Sequence, residues 1–227
     1  SKRHEVEAMT EQICREFGKI DVLVNNAGIM CRDFTTTEDG LETTVGVNYV
    51  GTWLLTNWLL PNMGRTGKAR IINTSSVTCK MGEVGDRFFK LDPEHYRRFK
   101  AYPNSKLAIL MFTTELARRV QGRAITVNAV DPGVVNTGMI TMHKWYDPLA
   151  DIFFRPFIKS PERGAMTAIL LATSDQYVNI SGGFFRNKHQ VGLPEAALDV
   201  EACQNLWLQT EQFVAGLVGS RLKKGEN

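Results

Sequence analysis

Short apolar runs rich in β-branched residues alternate along the chain with longer segments in which apolar residues recur every three to four positions. The runs at residues 20–24, 69–74 and 124–130 predict strands, and residues 183–186 suggest a fourth. The helical pattern covers residues 1–17, 41–60, 102–120, 160–172 and 200–217. Strands that are apolar on both faces and alternate with helices predict a parallel sheet covered on both sides. We therefore expect one α/β domain over residues 1–227, a doubly wound, Rossmann-like parallel sheet.

Polar or glycine-rich residues follow three of the predicted strands. Asn25, Ser76 and Pro132 each lie just beyond the carboxyl end of an apolar run. The carboxyl ends of parallel strands meet at one edge of such a sheet, and ligands bind there. The sequence therefore predicts a ligand site at this edge.

The composition narrows the classes of protein and ligand. The chain is 43% hydrophobic and 22% charged, with a net charge of +3, and it has no basic stripe typical of nucleic-acid binding. The small positive excess is compatible with an anionic ligand such as a phosphorylated cofactor. Four cysteines and four histidines lack the spacing of metal ligands, so we expect no metal. The cysteine count is too low for a disulfide scaffold at this length, so we expect an intracellular protein, cytoplasmic or membrane-associated. No apolar run is long enough to predict a transmembrane helix.

A tyrosine and a lysine lie four residues apart at the start of a predicted helix. Tyr102 and Lys106 therefore project from the same helix face. A free phenol has a pKa near ~10, and a nearby ammonium lowers it, which is what a general acid/base at neutral pH requires. Such a pair also occurs by chance on solvated helix faces, so it identifies no chemistry by itself.

Four motifs in a fixed order give the pair its context. They are Asn25-Asn-Ala-Gly28, Ile72-Asn-Thr-Ser-Ser76, Tyr102-Pro-Asn-Ser-Lys106 and Asp131-Pro-Gly-Val-Val-Asn-Thr137. Together they resemble the short-chain dehydrogenase/reductase family. The resemblance implies a Rossmann fold and hydride transfer with NADP or NAD, of which NADP is preferred.

The resemblance also implies a role for each catalytic residue. Tyr102 is the expected general acid/base, and Lys106 lowers its pKa and holds the nicotinamide ribose. Ser76 donates a hydrogen bond to the developing oxyanion, and Asn48 anchors a water that relays the proton. Ser75 competes with Ser76, and the family pattern favours the second serine of the pair. A purely structural alternative for Asn48 is a bridge to backbone groups.

The same resemblance implies a set of cofactor-binding residues in addition to Tyr102 and Lys106. The loop after the first strand lies beside the adenosine ribose, and the loop after the third strand lines the nicotinamide. The alternative for both loops is a turn that merely ends a strand. The residues concerned are Asn25, Ala27 and Gly28 in the first loop, and Pro132, Gly133, Val135 and Thr137 in the second.

An aromatic insertion separates Ser76 from Tyr102 more widely than in compact members of the family. It is similar to retinol-dehydrogenase-like members, which implies an apolar alcohol or carbonyl substrate such as a retinoid, steroid or lipid. Residues 145–158 are aromatic and apolar, and we interpret residues 140–160 as a candidate lid over that substrate. A helix that contacts a membrane surface and a plain packing helix are the alternatives.

The glycine-rich phosphate loop of the family, Gly-x-x-x-Gly-x-Gly, is absent from the sequence. We therefore expect an N-terminally truncated domain that lacks two βα units, roughly 60 residues. The strand with Val22 and Val24 then becomes an open apolar edge. The alternative function is a catalytically inactive fragment that acts through protein–protein association. The last predicted helix packs either on its own domain or on the second subunit of a homodimer.

Overall fold

The computed structural model describes residues 3–65, 67–134 and 159–222. In chain order these residues form helix α1 (Arg3–Glu16), strand β1 (Val22–Asn25), helix α2 (Thr43–Val45), a π-helical segment (Gly46–Gly51), helix α3 (Thr52–Leu59), a 3-10 turn (Leu60–Asn62), strand β2 (Ala69–Thr74), a 3-10 turn (Val77–Met81), helix α4 (Arg98–Arg119), strand β3 (Ile125–Asp131), helix α5 (Pro161–Thr173), a 3-10 turn (Asp175–Tyr177), strands β4 (Phe184–Arg186) and β5 (His189–Val191), and helices α6 (Glu195–Leu198) and α7 (Val200–Leu222).

The five strands form one sheet in the order β1-β2-β3-β4-β5. Strands β1 to β4 are parallel to their neighbours, so their carboxyl ends meet at one edge as predicted. Strand β5 was not predicted and pairs antiparallel with β4 through a tight turn. Asn187 and Lys188 in that turn both have positive φ, as a two-residue hairpin turn requires.

Helices cover the two faces of the sheet, which confirms the predicted α/β fold. Alternate strand residues point to opposite faces. Ile71, Val127 and Phe184 belong to the large core cluster, which also contains the buried side chains of α4 and α7. Ile72 and Phe185 point the other way and pack against side chains of α5. The side chains of α4 therefore lie on the same face as the odd-numbered residues of β3.

Strand β1 is the edge strand of the sheet, as the sequence analysis expected. Val22 and Val24 are 41% and 44% exposed, whereas Ile72 on the neighbouring strand is buried. Val24 pairs in register with Ile72, so both side chains point to the same face of the sheet. Helix α5 covers this face over the central strands but leaves the β1 valines accessible.

Two helix boundaries differ from the sequence expectation. Helix α4 begins at Arg98, a turn before Tyr102, because the Arg97 carbonyl already accepts from Ala101 N. Pro103 therefore lies inside the helix, where its missing N–H leaves the Phe99 carbonyl without its usual helical donor. The predicted helix over residues 41–60 is interrupted by the π-helical segment.

The C-terminal helix α7 packs against α4 of the same chain. Trp207 stacks on Phe112 with ring centroids 5.7 Å apart and meets Trp53 edge to face. The hydroxyl groups of Tyr49 and Thr210 hydrogen-bond at 2.7 Å in the interior. The last helix therefore packs on its own domain, which is one of the two alternatives given above. In this position α7 holds α4 against the sheet.

Candidate active site

Helix α4 carries Tyr102 and Lys106 at the carboxyl edge of the sheet. Lys106 is 3% exposed, and its Nζ donates a hydrogen bond to the Thr74 carbonyl at the end of β2, at 2.9 Å. The same Nζ lies 5.6 Å from the centroid of the Tyr102 ring. The half-buried phenol and the buried ammonium therefore belong to one cluster beside the last residue of a central strand.

Burial opposes charge on both groups. It lowers the pKa of Lys106 to about 8, and the charge of Asp131 opposes this shift. Burial also raises the pKa of Tyr102, a hydrogen bond with Ser76 lowers it, and Asp131 raises it further. At neutral pH Tyr102 is thus a neutral phenol and Lys106 mainly a cation. Ser76 contributes to lowering the phenol pKa in this structure, and the lowering by Lys106 that the resemblance implies stays a prediction.

The two serines after β2 occupy different environments. Ser75 is 1% exposed and donates from Oγ to the Lys106 carbonyl at 2.8 Å, which ties α4 to the sheet. Ser76 is half-buried, and its Oγ accepts from Thr78 N at 3.3 Å and from Thr78 Oγ1 at 3.1 Å, while its interaction with Tyr102 lowers the pKa of the phenol. Ser76 is therefore the serine in contact with the phenol, whereas the hydroxyl of Ser75 is used within the protein.

Asn48 joins the loop after β1 to helix α4. Its Oδ1 accepts from Ile29 N at 2.7 Å, and its Nδ2 donates to the Ile29 carbonyl and to Ser105 Oγ. Ser105 Oγ in turn donates to the Tyr102 carbonyl at 2.7 Å. Every polar atom of the Asn48 amide is thus engaged with protein groups, which corresponds to the bridging alternative for this residue.

The first predicted cofactor loop contains one inward-facing and two outer residues. Asn25 is buried, and its Nδ2 donates to Thr56 Oγ1 and Asn73 Oδ1. Ala27 is exposed and Gly28 half-buried. A Cβ at Gly28 would lie 3.2 Å from Lys106 Nζ, so the absence of a side chain there lets the loop approach the ammonium.

The second predicted cofactor loop begins with Pro132 and Gly133. Gly133 has φ +79°, and its N–H donates to Asp131 Oδ1 at 2.8 Å. Lys159 Nζ donates to the Pro132 carbonyl at 3.0 Å and to Asn187 Oδ1 at 2.6 Å. The other two predicted residues of this loop, Val135 and Thr137, lie outside the described residues, as do residues 140–158 of the candidate lid.

Asp131 and Lys159 were not predicted as site residues. Asp131 is 1% exposed and is the last residue of β3, where an acidic side chain directly after the apolar run 125–130 was the available signal. Nothing in the sequence around Lys159 pointed to its contact with the Pro132 carbonyl, since this depends on how the chain returns to the sheet.

Large apolar side chains are exposed on the elements that carry the site. Met81 ends the turn that follows Ser76, and Phe99 lies one helical turn before Tyr102 and Pro103. Val134 follows Gly133 in the second loop. All three are at least half exposed, and Val77 beside Ser76 is also exposed, so several elements of the site present apolar surface to solvent.

Within the described ranges, no group of three or more His, Cys, Asp or Glu side chains is arranged to hold a metal ion. No helix in this part of the chain is both long and apolar enough to cross a membrane.

A family model described as short chain dehydrogenase matches residues 1–145. The chain belongs to the short-chain dehydrogenase family. This agrees with the sheet, with the order of the four motifs and with the cluster of Ser76, Tyr102 and Lys106 at the carboxyl edge.

The chain is similar to several retinol dehydrogenases. Retinol dehydrogenase 14 of Mus musculus is 38% identical over 213 residues, which are 92% of this chain and 63% of that protein. Retinol dehydrogenase 13 of Homo sapiens is 37% identical over 209 residues, which are 89% of this chain and 63% of that protein. The chain thus spans about 63% of the length of these curated relatives.

Solved structures resemble the fold over most of the chain. A crystal structure of an uncharacterized protein from Mycobacterium paratuberculosis superposes with a TM-score of 0.72 at 28% identity, covering 93% of this chain and 72% of that one. A short chain dehydrogenase from Burkholderia cenocepacia, solved in complex with NADP, gives a TM-score of 0.61 at 22% identity, covering 82% of this chain and 71% of that one. The second likeness concerns the fold alone.

Proposed function

We propose that the protein is an oxidoreductase that transfers a hydride between a nicotinamide dinucleotide and an apolar alcohol or carbonyl compound. The observation that carries the proposal is the cluster of Ser76, Tyr102 and the buried Lys106 at the carboxyl edge of the sheet, in which the lysine Nζ lies 5.6 Å from the centroid of the half-buried phenol ring. Membership of the short-chain dehydrogenase family supports the same reaction class.

The residues around Lys106 are compatible with a nicotinamide ribose. An ammonium has three N–H donors, and one of them donates to the Thr74 carbonyl, so donors remain for ribose hydroxyls. Gly28 leaves open the space next to Nζ that a Cβ would fill. Gly133, with its left-handed backbone, lets the second loop turn away directly after β3. We assign the cofactor to Asn25, Ala27, Gly28, Tyr102, Lys106, Pro132 and Gly133, with Val135 and Thr137 assigned from the family pattern.

Side chains of the protein carry out the proton transfer that accompanies hydride transfer. Tyr102 donates its phenolic proton to the substrate oxygen in reduction and accepts it in oxidation. Ser76, whose interaction with the phenol lowers the pKa of Tyr102, donates to the oxygen on which negative charge develops. Because burial raises the pKa of Tyr102, its phenolate needs the Lys106 cation nearby as the proton leaves. A bound nicotinamide supplies or takes the hydride.

Asn48 contributes to the proposed site by holding other residues in place. Its amide connects the loop at Gly28 to Ser105 and so fixes the start of the catalytic helix against the cofactor loop. The water-relay role that the resemblance implies would require one of these hydrogen bonds to be exchanged for water.

An apolar substrate is supported by Met81, Phe99 and Val134, which are exposed on three segments of the site. The similarity to retinol dehydrogenases supports a retinoid, steroid or other lipid-like alcohol or carbonyl compound. NADP remains the preferred cofactor in this proposal, and a direct comparison of the two nucleotides tests the preference.

The test uses this chain and two tyrosine variants. We expect NADPH to bind, as measured by quenching of protein fluorescence, and to be oxidised when all-trans-retinal or decanal is added. Tyr102→Phe should bind NADPH but lose turnover by 10²-fold or more, roughly the contribution of a general acid. Tyr177→Phe is the matched control, because the Tyr177 hydroxyl donates to the Lys188 carbonyl on the other face of the sheet.

Two results would contradict the proposal. One is the absence of binding by both NADPH and NADH in a folded chain, which would leave the inactive, associating fragment as the remaining alternative. The other is equal turnover by the Tyr102→Phe and Tyr177→Phe variants. Tighter binding of NADH than of NADPH would overturn the cofactor preference alone.

A further inference from the structure

An ion pair with a buried carboxylate and a partly exposed arginine adjoins the candidate active site at the end of β3. Asp131 stands opposite Arg186 in the parallel pairing of β3 with β4, and Arg186 Nε lies 3.2 Å from Asp131 Oδ2. The aspartate side chain is 2% exposed and the arginine side chain 41%. The other carboxylate oxygen, Oδ1, accepts from Gly133 N. Strand register and a turn hydrogen bond therefore fix the position of this carboxylate.

The register also places Asp131 near Lys106. Thr74, whose carbonyl accepts from Lys106 Nζ, pairs in register with Val130, the residue before Asp131. Neighbouring strands lie about 4.8 Å apart, so Asp131 lies beside the strand end whose carbonyl accepts from the lysine ammonium. Asp131 shares its face of the sheet with Val127 and Ala129, and this is the face that α4 covers.

We propose that Asp131 is a positioning residue that keeps the buried Lys106 ammonium charged. Arg186 holds the Asp131 carboxylate in place and partly offsets its negative charge. A buried ammonium without a compensating charge is costly, because it has lost its hydration. The proposal rests on the proposed function for its consequence, since the phenolate of Tyr102 needs a cationic lysine. The effect of Asp131 on the protonation of Lys106 can be measured without turnover.

The other groups around the cluster do not supply this negative charge. Burial raises the pKa of the Cys79 thiol to about 11, and it also raises the pKa of Tyr102, so both stay neutral at neutral pH. The Asn48 amide and the Thr74 carbonyl are uncharged. Two other carboxylates lie on neighbouring segments: Glu83, after the turn that follows β2, is exposed, and the oxygens of Glu42 accept from Thr44 N and Val45 N at the start of α2. The cationic side chains are Lys80 on the turn after β2, Lys159 beside Pro132, and Arg186 on β4. The charge of Asp131 supports the lysine cation by raising the pKa of Lys106 against the effect of burial.

The experiment titrates Lys106 directly, with no cofactor or substrate present. The chain is labelled with 13C at the lysine ε-carbon, and the Lys106 resonance is assigned as the one missing from Lys106→Met. In Asp131→Asn, which keeps the size of the side chain, the titration midpoint should fall by about 1 pH unit, the effect of one charge several ångströms away in a protein interior. In Arg186→Gln the midpoint should rise, because a cation is removed and the carboxylate stays.

Glu115→Gln is the matched control. Glu115 is also a buried carboxylate with arginine partners, Arg118 and Arg119, but it lies nine residues further along α4. Its loss should leave the Lys106 midpoint unchanged. A lower Lys106 midpoint in Asp131→Asn and a higher one in Arg186→Gln would support the proposal. A merely structural role of the two residues does not predict that the midpoint shifts in opposite directions.

Unchanged midpoints, or shifts of the same sign in both variants, would overturn the proposal. If Asp131→Asn does not fold, Arg186→Gln decides alone: a raised midpoint supports the proposal, and an unchanged or lowered one contradicts it. A failure of the proposed function is distinguishable, because it would remove nucleotide binding or turnover without altering these titrations.

Discussion

Burial of Lys106 should make the stability of the protein depend on pH in a way that removal of the lysine abolishes. The pKa of Lys106 is lowered from 10.5 to about 8 in the folded chain. Between these values the unfolded chain binds a proton that the folded chain does not. The free energy of unfolding therefore rises with pH across this window. Below about pH 8 the full cost of burying the charge is present.

The magnitude follows from the shift. Each unit of pKa difference corresponds to about 1.4 kcal/mol, so at pH 7 the buried charge costs about 3 kcal/mol. About 2 kcal/mol of this cost should be relieved between pH 7 and pH 9.5. Replacing Lys106 by Met, which has a similar shape and no charge, removes this contribution from the folded state.

Urea unfolding of both proteins at the two pH values provides the measurement. The difference in free energy of unfolding, wild type minus Lys106→Met, should become more favourable to wild type by about 2 kcal/mol at pH 9.5. Taking the difference between the two proteins cancels the contributions of thiols and phenols that titrate over the same pH range in both. A difference that is constant with pH would refute the reasoning, because Lys106 would then have nearly the same pKa folded and unfolded.

Three further predictions concern separate parts of the fold. Ser75→Ala should lower the free energy of unfolding by about 1–2 kcal/mol, whereas Ser76→Ala should change it little and reduce aldehyde turnover about 10²-fold; the reverse pattern would exchange their roles. Trp207→Ala should cost about 3–5 kcal/mol in urea unfolding and Leu208→Ala, on the exposed side of the same helix, under about 0.5, and equal costs would contradict the packing of α7 on α4. Gly133→Ala should destabilise by about 1 kcal/mol or more through left-handed strain and should weaken NADPH binding, while unchanged binding would remove the second loop from the cofactor site.

The sequence predicted the elements whose pattern is strong and local. Strand β2 was predicted at its exact bounds, since residues 69–74 form an uninterrupted strand-like run. Helix α5 begins as expected because Ser160 caps it, its Oγ accepting from Arg163 N, and Pro161 follows at the first helical position. The parallel sheet followed from the alternation of strands with helices, and the edge position of β1 followed from the expected absence of two βα units.

Features that depend on pairing between distant residues were beyond the sequence pattern. Strand β5 has three residues, His-Gln-Val, with no two-residue alternation strong enough to predict it, and it exists because it pairs with β4. The start of α4 was missed because residues 98–101 carry no capping signal and the helix lacks a side-chain cap. The Asp131–Arg186 pair required the register of two strands that are far apart in sequence.

The candidate site was predictable as a set of residues but not as an arrangement. Motif order selected Ser76, Tyr102 and Lys106, and the structure brings these three together. Sequence alone did not show that the Asn48 amide hydrogen-bonds to Ile29 and Ser105, or that burial raises the pKa of the Tyr102 phenol. Both depend on how closely α4 packs on the strand ends.

The central claim is that Tyr102 and Lys106 serve a hydride transfer, and isotope transfer tests it most directly. The chain is incubated with decanal and with NADPH in which both hydrogens at C4 of the nicotinamide are replaced by deuterium, and the alcohol product is analysed by mass spectrometry. We predict one deuterium on the carbinol carbon with the wild-type chain and its near-complete loss with Tyr102→Phe. Unlabelled alcohol, no alcohol from the wild-type chain, or equal labelling by the variant would contradict the account.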